Sequence, residues 1–184
     1  MLRRWFSRRN APDEALRDAA YGQIVAAARQ TALFARWGVP DTTLGRFEMV
    51  SLHMILALRR LSGRGEAAER LAGGLADLFF SETDRALRDL GVGDGRVPKT
   101  LKAMAEMFYG RAKAYGDAIG ASDEAALAAA LRRNVRPDGA DWPQVQALAR
   151  HALAVDSALA ALTNEEIAAG GFVFPQPAAK EANP

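Results

Sequence analysis

The chain has 184 residues, of which 49% are hydrophobic and 25% charged, and its formal net charge is +2. That length supports one domain with a sizeable core, and so small a net charge gives no argument for nucleic acid. There is no cysteine, which excludes disulfides, thiol catalysis and cysteine-ligated zinc or iron–sulfur centres.

The chain opens on MLRRWFSRR, four arginines around a Trp-Phe pair. No apolar h-region follows, so this is not read as a secretory signal. Arg3, Arg4, Trp5, Phe6, Arg8 and Arg9 could touch an anionic membrane surface, each cation contributing about 1 kcal/mol near the lipid. A frayed, solvated terminus accounts for them equally well. The longest apolar run, MVSLHMILAL at 49–58, is far short of the roughly 20 residues a spanning helix needs. The expectation is a cytoplasmic protein.

Helical periodicity dominates from there on, with no strand alternation and no Asn-Gly hairpin signal. A first helix is predicted over 13–36, with Asp13 and Glu14 in its first turn and Gly38 and Pro40 closing it. A second covers about 42–62. Phe47, Val50, Met54, Leu58 and Leu61 share a face, and Leu52, Ile55 and Leu56 add apolar surface elsewhere, so this is the candidate central helix. A third runs over 66–90, with Leu71, Leu75, Leu78, Phe79, Ala86 and Leu90 inward and i,i+4 pairs Asp84–Arg88 and Arg85–Asp89 outward.

The stretch GVGDG at 91–95 separates this helix from a fourth at 97–119, whose first turn holds Pro98. Leu101, Met104, Phe108, Ala112, Tyr115 and Ile119 make the fourth helix's apolar stripe. Ser122 is the expected cap of a fifth helix over 123–134. Asp141 with Gln144, and Thr163 with Glu166, fit capping boxes for a sixth helix and a short final turn. The predicted architecture is an all-α, single-domain irregular bundle of six to seven helices. Residues 1–12 read as a basic flexible start, 13–170 as the helical domain and 171–184 as a proline-rich tail.

Catalytic patterns are missing. Neither His53 nor His151 belongs to an HExxH motif, no Ser sits in GxSxG, and no cofactor or metal is expected. Gly91, Gly93 and Gly95 spell GxGxG with no preceding strand, and no GK[ST] follows. Three readings of that corner stand open: an anion site at the next helix N-terminus beside Arg96 and Lys99, a plain helix reversal, and a partner contact. Gly110, in mid-helix between Tyr109 and Arg111, costs roughly 0.5–1 kcal/mol against alanine. A close helix crossing, from within the chain or from a partner, is the reading that would use it.

Three segments, VPDTTLGRFEMVSLHMILALRRL (39–61), LFFSETDRALRDLGVGDGRVPKTLKAMAEMFYGRAKAY (78–115) and LAAALRRNV (127–135), resemble the ubiquinol–cytochrome c chaperone family. These are the Cbp3-like assembly factors of the cytochrome bc1 complex, respiratory complex III. The resemblance spans roughly residues 15–160. It implies a non-enzyme that binds newly made cytochrome b at the membrane and stabilises it for assembly. It also implies a small helical partner protein, and contact with the ribosome or the inner-membrane surface, but not with DNA. The arginine-rich composition and the short start favour a bacterial member, peripheral at the cytoplasmic face of the inner membrane.

Under that resemblance the candidate partner-binding residues are Arg46, Arg59, Asp84, Arg85, Arg88, Gly91, Gly93, Asp94, Lys99, Tyr109, Gly110 and Arg111. A competing expectation is a helical small-molecule binder that takes haem, a quinone or an isoprenoid in an apolar cavity lined by Met49, His53 and Met54.

Overall fold

The computed structural model describes residues 11–138 and 141–177, and those residues form eight α-helices and no strand. In chain order they are α1 (Ala11–Ala28), α2 (Thr31–Ala35), α3 (Thr43–Leu61), α4 (Glu66–Asp89), α5 (Val97–Gly120), α6 (Glu124–Val135), α7 (Val145–Ala160) and α8 (Asn164–Ala168). The all-α bundle is the one the periodicity predicts. The terminal arginines and aromatics, Arg3 to Arg9, lie outside the described residues, as does the tail beyond Pro177.

α3 is the axis of the bundle. Thr42 caps it, its hydroxyl accepting from the Gly45 amide at 3.1 Å. From Phe47 to Ala57 every residue but Val50 is buried. With so wide an apolar surface, α3 packs against α1, α4, α5, α6 and α7. Its first turn carries a steric condition. A Cβ on Gly45 would lie 1.9 Å from the Pro40 carbonyl oxygen, so the chain can enter α3 this closely only over a glycine.

Four local expectations change. The helix predicted over 13–36 is two helices, because Gln30 is extended (φ −59, ψ 127) and α2 restarts at Thr31. The turn after α2 places the Trp37 carbonyl 2.6 Å from the Trp142 indole nitrogen, which donates to it. That long-range bond fixes a course which no glycine or proline at 29–30 announces.

The cap of α6 is Asp123, whose carboxylate accepts from the Ala126 amide at 2.8 Å; Ser122 stands just outside at φ 51. α7 begins without a side-chain cap at Gln144, since Trp142 is drawn into the core and the Asp141–Gln144 box does not form. On α4 the inward line runs Phe79, Thr83, Leu87, leaving Ala86 exposed and Leu90 58% exposed. The Thr163–Glu166 box forms as expected, with bonds of 3.1 and 2.7 Å.

Beyond α8 the chain crosses back over the bundle. The Phe172 amide donates to Gln23 of α1 at 2.9 Å, and the Phe172 ring is buried. The Phe174 ring lies 5.7 Å from that of His53, centroid to centroid. His53 donates from Nδ1 to the Met49 carbonyl at 2.8 Å, which leaves a buried Nε2 lone pair with no partner. His151 lies 6.2 Å from His53 and 5.1 Å from Trp37.

Burial pushes both imidazoles down to about 4, His151 adding its own charge to the effect on His53. Both folded values lie below the unfolded value of about 6.5. Their contribution to stability is therefore complete above pH 6.5, falls between about 6.5 and 4, and is gone below. Each withdraws up to roughly 3 kcal/mol over that window. Glu48, raised by burial, works in the opposite sense. Urea midpoints measured from pH 8 to pH 4 should stay level and then drop below about 6.5. In His151→Phe the drop should be about half as large.

Candidate interaction surface

The hairpin of α4 and α5 carries most of the candidate residues. α4 ends in a Schellman turn: the Gly91 amide bonds to the Arg88 carbonyl at 2.9 Å and the Val92 amide to the Leu87 carbonyl at 3.0 Å. Gly91 stands at φ 78, the left-handed conformation this turn demands. Added Cβ atoms at Gly93 and Gly95 would meet nothing within 4 Å, and neither has positive φ. Of the three corner glycines, only Gly91 is required by the backbone. Arg88 braces the corner, its Nε donating to Asp84 at 2.8 Å and its Nη1 to Asp94 at 2.5 Å. Arg85 and Lys99 are exposed and make no ion pair among the described residues.

Further along α5, an aromatic column connects core to solvent. Phe47 stacks on Phe79 at 5.8 Å, Phe79 meets Phe108 at 5.1 Å, and Phe108 meets Tyr109 at 5.8 Å. Phe80 of α4 closes the column, 5.7 Å from Phe108 and 6.3 Å from Tyr109. Tyr109 itself is 64% exposed. Gly110 beside it is exposed, and a Cβ there would find nothing within 4 Å. No helix among the described residues crosses at Gly110, which leaves the glycine without an intrachain contact there and an open strip of surface beside Tyr109.

Arg111 takes the opposite direction. It is buried, with Nε donating to Glu48 Oε2 at 2.6 Å and Nη2 to Oε1 at 2.5 Å, a bidentate ion pair between α5 and α3. Its guanidinium is therefore not on the face that Tyr109 and Gly110 present. Burial raises the Glu48 carboxyl above the usual glutamate range, and the Arg111 hydrogen bonds oppose that rise. Tyr115 lies one turn on, its hydroxyl accepting from Asn134 of α6 at 3.1 Å; burial pushes that phenol well up.

Arg59 sits on a seam, 3.4 Å from Asp156 of α7 and 3.2 Å from the Gly116 carbonyl of α5. Arg46 lies elsewhere, on the first turn of α3 beside α2, 2.6 Å from Asp41. The twelve candidates thus fall into a hairpin tip, an aromatic strip, an internal lock, a seam and a separate groove.

Glu48 escaped the sequence reading, although a lone carboxylate within FEMVSLHM is the kind of residue that needs a buried partner. Arg60 escaped it too. Buried without a carboxylate, its guanidinium donates to the Leu159 carbonyl at 2.6 Å and to that of Leu162, at the C-terminal end of α7. Met49, His53 and Met54 are packed into the core. No group of three or more metal-ligating side chains occurs among the described residues.

A model of the family described as ubiquinol-cytochrome C chaperone matches residues 35–174. The ubiquinol-cytochrome-c reductase complex assembly factor 1 of Xenopus laevis is 26% identical over 111 residues, covering 60% of this chain and 55% of that protein. The chain thus spans about half the length of that relative. The crystal structure of the Cbp3 homolog from Brucella abortus superposes with a TM-score of 0.84 at 48% identity, covering 89% of this chain and 91% of that one.

Two stability changes follow from this geometry. Arg111→Met leaves a buried carboxylate unpaired and should lower the unfolding free energy by about 3–5 kcal/mol, while adding Glu48→Leu should restore most of it. Gly91→Ala forces a Cβ into the left-handed region and should cost about 1 kcal/mol, against a change under about 0.5 kcal/mol for Gly93→Ala. Urea denaturation checks both.

Proposed function

The chain belongs to the ubiquinol–cytochrome c chaperone family of bc1 assembly factors, and on that premise we propose that it holds newly made cytochrome b until the subunit is incorporated into the complex. The observation that carries this reading is the open strip at Tyr109 and Gly110. An exposed aromatic is anchored through Phe108 and Phe80 to the core, and the adjacent residue has no side chain to obstruct a helix laid across it. A hydrophobic client helix could use such a rigid aromatic anchor, with little loss of side-chain freedom on binding. The hairpin tip extends the surface with charge, through Arg85, Lys99 and the braced Asp84–Arg88–Asp94 cluster.

In this reading the protein works by occupancy and release, not by turnover. Arg111 and Gly91 shape the scaffold that presents the surface, Arg59 ties α3 to α5 and α7, Gly93 stands exposed at the hairpin tip, and Arg46 belongs to a different face. Docking would be peripheral to the membrane that receives the client. No helix among the described residues is long and apolar enough to cross a bilayer. A small helical partner protein could share the same strip.

The first experiment is a reduced-minus-oxidised spectrum of membranes from a strain lacking the gene. Loss of the b and c1 bands of the bc1 complex, with other cytochromes intact, is expected, and normal bands would overturn the reading. The strip is then tested by co-purification of cytochrome b with Gly110→Leu, a change that retains the helix. Recovery should fall about tenfold; unchanged recovery would remove the strip from the binding surface.

A further inference from the structure

A groove of about 570 Å³ lies between α2 and the start of α3, away from the aromatic strip. Its walls combine two kinds of chemistry. Half-buried Phe34 and exposed Ala35 supply apolar surface, with the buried Val39 behind them, and Arg29 and Arg46 supply guanidinium groups. The size lies in the range of small-ligand sites.

The charges are unevenly satisfied. Arg46 meets Asp41 through Nε alone, at 2.6 Å, and no other bond to its terminal nitrogens occurs among the described residues. Arg29 is exposed and makes no ion pair or side-chain hydrogen bond there. Asp41 also faces the groove, and its carboxyl is held below the usual aspartate range by Arg46, so it is ionised at neutral pH. The three charged side chains therefore sum to one uncompensated positive charge beside an apolar wall. A bare inorganic anion would use the arginines and leave Phe34 and Ala35 idle. A neutral lipid would do the reverse.

We propose that this groove binds the head and one chain of an anionic amphiphile. Its carboxylate or phosphate head lies between Arg29 and the free end of Arg46, and its first methylenes lie on Phe34 and Ala35. The head is held by charge-assisted hydrogen bonds, with the planar guanidinium able to take two oxygens at once. The chain replaces water on the apolar wall. Because the purified chain is the only protein required, this proposal stands or falls independently of the assembly role.

The test is calorimetric titration of the full chain with sodium dodecanoate and with monododecyl phosphate, both below their micellar concentrations. Saturable one-to-one binding is expected. Arg29→Gln removes no side-chain hydrogen bond or ion pair among the described residues and should weaken it about tenfold or more. Lys99→Gln, on the hairpin, should leave it unchanged, and circular dichroism verifies that each variant keeps its helices.

Absence of saturable binding by either probe would overturn the proposal. So would equal affinity in Arg29→Gln, or equal binding of uncharged dodecyl maltoside. Co-sedimentation with phosphatidylcholine vesicles containing phosphatidylglycerol separates the two sources of such a head. Arg29-dependent capture identifies a bilayer phospholipid. Binding of the free probes without capture identifies a dispersed fatty or alkyl anion.

Discussion

Glu48 and Arg111 form an ion pair inside the bundle, and much of the candidate surface takes its orientation from it. α3 is so uniformly apolar that hydrophobic burial alone would tolerate several rotations of α5 against it. Two hydrogen bonds from one guanidinium to one carboxylate tolerate very few. With Arg111 held at Glu48, the preceding two residues are turned outward, and that is why Tyr109 and Gly110 face solvent. Arg59 on Gly116 and Asn134 on Tyr115 secure the same helix farther along. The pair is a device for register more than for net stability, since removing two charges from water costs about as much as their attraction returns.

The candidate surface built on this register is firm and open. Its aromatic contact is continuous with the core through Phe108, so it presents a firm ring and not a loose side chain. Its glycine neighbour leaves room, and its charged end is cross-braced by Arg88.

Much of this could be read from the sequence where the signal is local. The all-round apolar character of 47–58 marks α3 as central, Gly91 marks the end of α4, and Thr163 with Glu166 marks the start of α8. The family was legible because the strings at 39–61 and 78–115 lie within the matched region 35–174. What stayed hidden depends on residues far apart in the chain. Arg111 reads as a surface cation until its partner 63 positions earlier is known. The turn after α2 gives no sign of its partner either, because the Trp37 carbonyl there is bonded by Trp142, 105 residues later. Period and propensity report on neighbours within a turn or two, and neither reports on such pairs.

The bond from the Phe172 amide to Gln23 spans 149 residues, which introduces a matter of timing. α1 is made first, yet one of the residues that covers it is made after every other helix. At roughly 5–20 residues per second, the interval is about 7–30 s, long beside the microseconds in which helices form. Through that interval α1 carries an uncovered flank, and the bundle lacks its closing segment. For those seconds a member of a chaperone family is itself an incompletely covered nascent protein.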